Sequence, residues 1–204
     1  MCIIVAKPAK TAMPSLNTLE TCFRNNPDGA GIMLASKGKV WGFKGLMTFE
    51  AVKSKLKTLE SRFGSLDKLP VVLHFRIGTH GKNIPENTHP FPLSDRYDEL
   101  RSLEWVSSQG MAHNGIIRLT SDPDNERYSD TAIFIADYLS QILRTRADLR
   151  DRRKLNTIYQ LAQSKFAIMD GGGYIATVGE FIHERGLLFS NASYRALFLR
   201  KPTL

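Results

Sequence analysis

Cysteine is the second residue of the chain, behind a lone Met1. If Met1 is removed, Cys2 carries both a thiol and a free α-amine, and the amine can serve as the thiol's own general base. Ordinary pKa values of about 7.7–8.0 for the amine and about 8.5 for the thiol let a proton pass between them near neutral pH. Other residues able to do chemistry lie far along the chain. Arg76 closes an otherwise apolar run, a place that packing alone does not explain, and Asn114-Gly115 is a pair whose commonest use is a type I′ hairpin turn. Asp130 opens a helical pattern, where the helix dipole favours a carboxylate. His74, His80 and His113 show no His-x-x-x-His or acid-linked spacing, so they read as structural, and no metal site is expected.

These residues need a scaffold to bring them together. Residues 1–6 read as a buried strand, and Ser15 can cap a short helix through Arg24 with Leu16, Leu19, Thr21 and Phe23 on its apolar face. Two strands, 32–35 and 40–43, join through Ser36-Lys37-Gly38-Lys39 as a hairpin. Residues 48–63 have the apolar period of a helix, and 71–77 read as an apolar strand ending in Gly78-Thr79-His80-Gly81. Residues 82–110, with Pro85, Pro90 and Pro92, read as a long irregular loop over the site. Beyond it come a strand or strand-turn at 109–117, helices at 130–143 and 152–163, and strands at 165–169, 174–178 and 187–190. The mixture is α+β, with two antiparallel sheets covered by helices.

At 204 residues and 42% hydrophobic, the chain suits one domain spanning 1–204. The two cysteines, Cys2 and Cys22, build no disulfide framework, which fits a reducing cytoplasm, and Cys22 reads as a small buried hydrophobe. No apolar run reaches the roughly 20 residues of a bilayer span, so no membrane partner is expected. The net charge of +8 concentrates in Lys53, Lys55, Lys57 and in Arg144, Arg146, Arg150, Arg152, Arg153 and Lys154. No aromatic residues interleave with these cations as base-stacking platforms would, so they read as solvated faces rather than a nucleic-acid surface.

Read with Cys2, the segments Leu73-His74-Phe75-Arg76-Ile77-Gly78-Thr79-His80-Gly81 and Met111-Ala112-His113-Asn114-Gly115-Ile116-Ile117 resemble the glutaminase domain of class II glutamine amidotransferases, members of the N-terminal nucleophile hydrolases. The resemblance runs through Asn25–Gly31, Asn87–Pro90 and Tyr128–Thr131, and continues more weakly through Phe189-Ser190-Asn191. It implies a four-layer αββα sandwich without cofactor or metal. Cys2 would attack the side-chain amide of glutamine and release ammonia through a γ-glutamyl thioester, and a separate acceptor protein is the partner such ammonia implies. Asn114 and Gly115 match the family's oxyanion pair. Arg76 matches its grip on the α-carboxylate, for which a planar guanidinium suits, and Asp130 its hold on the α-ammonium; Thr79 and His89 match positions near the substrate. Two departures stand out: Ile3 follows Cys2 where the family usually places glycine, and Ile77 stands where relatives often carry a larger residue. They keep two other readings open, an amidase for another linear amide or γ-glutamyl substrate and a catalytically silent binding protein.

Overall fold

The computed structural model describes residues 1–78, 83–120 and 128–195. Strand β1 (Ile3–Lys7) is buried along its whole length. Ser15 caps α1 (Leu16–Asn25) by accepting from Thr18 N, and Thr48 caps α2 (Phe49–Phe63) by accepting from Ala51 N; each cap satisfies a first-turn N–H that the helix leaves unpaired. Between the helices, β2 (Ala30–Ser36) and β3 (Lys39–Leu46) form the expected hairpin. Lys37 and Gly38 both take positive φ, 50° and 76°, as a type I′ turn requires. Strand β4 (Val71–Phe75) follows.

The segment expected to be an irregular loop over 82–110 is largely built into the fold. It holds β5 (Phe91–Pro92), α3 (Tyr97–Arg101) and β6 (Glu104–Ser107), then β7 (Gln109–Asn114). The short strands carry no readable period: β5 has two residues, one a proline, and β6 buries Trp105 between exposed Glu104 and Val106. The expected helix at 130–143 is present but irregular, with α4 (Asp130–Phe134) passing through a π turn at Ile135–Leu139 into α5 (Ser140–Ile142). Then come α6 (Arg152–Ala162), β8 (Lys165–Asp170), β9 (Ile175–Val178), β10 (Ile182–Glu184) and β11 (Leu187–Phe189). Strand β10 was not expected; three residues are too few to show alternation.

The strands make two antiparallel sheets, β10-β11-β1-β4-β2-β3-β6 and β5-β7-β8-β9. Alternation along the strands sorts their side chains into separate cores. Ile3 and Val5 of β1, Ile32 and Leu34 of β2, and Leu73 of β4 pack with Leu19 and Cys22 of α1 and with Val52, Leu56 and Leu59 of α2. Their strand neighbours Ile4, Ala6, Met33 and Val72 point the other way, into a cluster shared with Ala112, Ala167 and Met169 of the second sheet. On that sheet Met111, Phe166 and Ile168 join Phe134, Leu139 and Ile158 from the helices after residue 130. Leu16, expected on the apolar face of α1, is 56% exposed; the helix buries Leu19, Thr21 and Cys22 instead. Among the described residues no helix is long and apolar enough to cross a membrane.

Trp105 locks the two sheets together. Its indole lies where a methyl on Gly42 of the first sheet or on Gly110 of the second would overlap it, and its Nε1 donates to Pro90 O at 3.2 Å. Lys44 of β3 pins the same segment. Its Nζ, in a residue 4% exposed, donates to Glu86 O and Leu100 O and lies 3.7 Å from the centre of the Phe91 ring, and burial pushes its pKa down to about 6.

Candidate active site

Cys2 sits just before β1, an interior strand of the larger sheet, where strand pairing aligns Ile3 with Phe75. Its Sγ receives the N–H of Ile77 at 3.4 Å and lies 3.5 Å from Ile77 O. Burial raises the thiol's pKa, while the Ile77 hydrogen bond and the positive charge of Arg76 oppose that rise. The segment after β11 holds this end of β1 in place. Asn191 Nδ2 donates to Cys2 O at 2.6 Å, Ser190 N donates to Ile4 O at 3.0 Å, and Ile4 N donates to Ser190 Oγ at 2.9 Å.

Ser190 also reaches the second sheet. Asn114, the last residue of β7, donates from Nδ2 to Ser190 Oγ at 2.8 Å, and its Oδ1 is buried with no hydrogen-bond partner. Gly115 follows at φ 150°, in the region where side chains are strained, and a Cβ there would overlap Ser164 Oγ. Glycine is therefore required for the chain to turn off β7 at this point.

Arg76 follows the end of β4 and is 5% exposed. Its backbone pairs with the Asn-Pro-Asp-Gly turn on both sides, Arg76 N donating to Gly29 O at 2.8 Å and Asp28 N to Arg76 O at 2.9 Å. Asp28 accepts from Gly78 N and from Asn83 Nδ2, and Asn83 Oδ1 in turn accepts from Arg76 Nη1 at 3.0 Å. Asp28 and Asn83 thus hold the guanidinium in one orientation. Thr79 and His80, named from the sequence, lie outside the described residues.

The histidines form a buried layer beneath. His74 stacks on His89 with centroids 4.3 Å apart, and His113 stacks on Phe166 at 4.8 Å. Burial pushes His74 down to about 3, His113 to about 4, and His89 well below its ordinary value, so all three are neutral at pH 7. Their partners assign the protons. His113 O can only accept, so His74 donates to it from Nε2; His113 N–H donates to His89 Nδ1, which must carry a lone pair. Thr131 Oγ1 donates to Asp130 Oδ1, leaving its oxygen to accept from His113 Nδ1. His113 Nε2 is then a buried acceptor without a partner. Among the described residues no group of three or more His, Cys, Asp or Glu is placed to hold a metal ion.

Asp130 begins α4, with Ser129 capping the helix. Its carboxylate accepts from Ile117 N at 2.8 Å and from Thr131 N at 2.7 Å. The chain therefore brings Cys2, Arg76, His89, Gly115 and Asp130 onto one polar slot of about 30 Å³, with His113 also in its wall. That is room for about one water molecule, so an amino-acid head enters only when the walls part. Asn114 does not line the slot; it lines an adjoining open cleft of about 850 Å³ that shares Cys2, Ile77 and Gly115 with it. Cys2 stands at the junction of a polar, charged slot and a wide cleft, which is a suitable position for a nucleophile that divides an amide into two halves. The exposed Met1 lies against the same cleft. Sequence reasoning assigned no part to Ser190, Asn191, Asp28 or Asn83: Asp28 reads as turn chemistry within the Asn25–Gly31 resemblance, Asn83 falls in the segment expected to be irregular, and Ser190 and Asn191 carry only the weaker Phe189-Ser190-Asn191 resemblance. The chain matches no protein-family profile and no curated protein sequence.

Proposed function

We propose that the protein is an amidohydrolase of the glutamine amidotransferase type, using Cys2 as an N-terminal nucleophile, and that its sheets and helices form the four-layer αββα sandwich of N-terminal nucleophile hydrolases. The observation that carries this reading is the meeting of Cys2, Arg76, Gly115 and Asp130, from four distant segments, on one slot. With Met1 removed, the Cys2 amine takes the thiol proton, which the burial-raised thiol does not release unaided. Sγ then attacks the side-chain carbonyl carbon of glutamine, and the carbonyl oxygen becomes negative. The C–N bond breaks, ammonia leaves with the proton held by the amine, and water hydrolyses the thioester to glutamate.

Arg76 supplies a cation for the α-carboxylate. Asp130 has spare acceptor capacity for the α-ammonium, since a carboxylate offers about four lone-pair sites. For the oxyanion, Gly115 offers its N–H and Asn114 its amide. Asn114 serves best with its amide turned over. Ile4 N–H already donates to Ser190 Oγ, so the Ser190 hydroxyl can donate to Asn114 Oδ1, which otherwise has no partner. The amide NH₂ is then released from Ser190, and exchanging O and N costs no change of shape. Both cysteines are free thiols, in keeping with a cytoplasmic setting.

The test is glutamate formation from glutamine, measured on protein whose N-terminus is verified by intact mass. Protein beginning at Cys2 should be active and protein retaining Met1 inactive. Equal activity in the two, or none in either, would overturn the proposal.

A further inference from the structure

The open cleft beside Cys2 is far larger than glutamine hydrolysis needs. Attack at Cys2 divides a substrate in two: the acyl half belongs with Arg76 and Asp130 in the polar slot, and the amine half faces the cleft of about 850 Å³. Ammonia needs only about the 30 Å³ of a water molecule. The cleft has an apolar surface, with Ile116, Leu119 and Leu161 in its lining at 40%, 48% and 37% exposure. Such side chains left open beside a nucleophile suit an apolar ligand group. Its charged lining residues are Arg118 and Lys165, with no acid among the described residues that line it. Lys165 Nζ donates to Ser190 O at 2.7 Å, which uses one of its three N–H donors. The C-terminal end of α6 adjoins the cleft through Ala162 and Gln163 and brings at most about half a negative charge, less than the two cations.

We propose that this cleft receives the amine half of a γ-glutamyl amide larger than glutamine: an apolar amine bearing a carboxylate, as in a γ-glutamyl dipeptide whose second residue is apolar. The inference rests on the amidohydrolase reading of Cys2 and names its substrate class. The apolar group lies on Ile116, Leu119 and Leu161, and the carboxylate faces Arg118 and Lys165. In the reaction the Sγ–C bond forms and the amide C–N bond breaks. The departing nitrogen takes the proton that the Cys2 amine received from the thiol, and the second residue leaves as a free amino acid. Water then cleaves the thioester, giving glutamate and restoring the thiol.

Three probes test this on protein that begins at Cys2: glutamine, γ-glutamyl-phenylalanine, and γ-glutamyl-phenethylamide, which has the ring without the carboxylate. Burial of the ring should raise kcat/KM for both larger probes roughly tenfold above glutamine. The carboxylate should add about two- to fivefold, the range of an exposed ion pair. Arg118→Glu should abolish the advantage of γ-glutamyl-phenylalanine over the phenethylamide, and Leu119→Asp should lower both larger probes relative to glutamine. Both replaced side chains are exposed, and each variant's rate on glutamine serves as its internal reference. Hydrolysis of glutamine with no gain from either larger probe would overturn the inference and leave the amidohydrolase reading standing. An advantage of γ-glutamyl-phenylalanine over the phenethylamide that Arg118→Glu leaves unchanged would overturn the role of the cations. Failure to hydrolyse all three would overturn the amidohydrolase reading, and this inference with it.

Discussion

Ser190→Ala tests how the two sheets cooperate at the site. The Ser190 side chain is buried in a residue of 0% exposure; its Oγ accepts from Ile4 N at 2.9 Å and lies 2.8 Å from the side-chain amide of Asn114. Alanine removes both partners at once and leaves two buried polar groups unpaired. Each costs about 1–3 kcal/mol, so the variant should lose about 2–6 kcal/mol of stability in urea unfolding. A lost oxyanion donor costs about 2.7–4 kcal/mol of barrier, but here the Asn114 amide is loosened rather than removed. Misplacement by about 1 Å costs up to roughly 100-fold, and kcat should accordingly fall about 10- to 100-fold. KM for glutamine should change little, because the oxyanion exists only beyond the ground state. Asn114→Ala should lower kcat at least as much, and the double variant should be little worse than Asn114→Ala alone. Steady-state kinetics on samples shown folded by circular dichroism make the comparison. An unchanged kcat with reduced stability would refute the idea that Ser190 holds a catalytic amide.

Arg76→Lys keeps the charge and loses the two-pronged donor, so it should raise KM for glutamine about tenfold or more with a smaller effect on kcat; an unchanged KM would remove Arg76 from substrate binding. His74, His89 and His113 are held neutral by burial with pKa values below those of the unfolded chain. As pH falls below about 6.5 the unfolded state therefore takes up protons first, and stability present above that pH is lost toward pH 4 at up to about 1.4 kcal/mol per histidine per unit. The urea midpoint should fall between pH 6 and 5, and His74→Gln should flatten the fall; a midpoint independent of pH would show that the histidines are not held neutral. Gly110→Ala would drive a methyl into the Trp105 indole and should cost about 1–3 kcal/mol, read as a shift in urea midpoint; no shift would show that the indole does not lock the sheets.

The strands and helices that position the site were readable because their apolar residues form unbroken runs or a helical period. Strands β1, β2, β4 and β8 read as short continuous apolar runs because both of their faces are buried, and α2 repeats its apolar residues at helical spacing. The segment between β4 and β7 was not readable for the opposite reason. Trp105 is its anchor, yet it stands between Glu104 and Val106 and is held by Gly42 and Gly110, partners that only the folded chain brings near. Leu16 shows the limit of counting apolar residues: the face of α1 that docks is set by Leu19 and Cys22. At the site, Cys2, Arg76, Gly115 and Asp130 were legible through their types and neighbours. The residues that orient them were not. Ser190 lies 76 positions from Asn114, and Asn191 lies 189 from Cys2; no local pattern marks a serine that bridges two sheets.

The central claim, that Cys2 is a nucleophile aimed at a γ-glutamyl amide, is tested most directly by labelling with a glutamine analogue that carries a diazoketone in place of the amide. Cys2 lies against both the slot and the cleft, whereas Cys22 is 0% exposed and burial pushes its thiol up to about 12, leaving it protonated and inert. On protein that begins at Cys2, peptide mapping should find a single modification, at Cys2, slowed by free glutamine competing for the same slot. Modification at Cys22, or labelling of Cys2 at a rate that glutamine does not alter, would contradict the account.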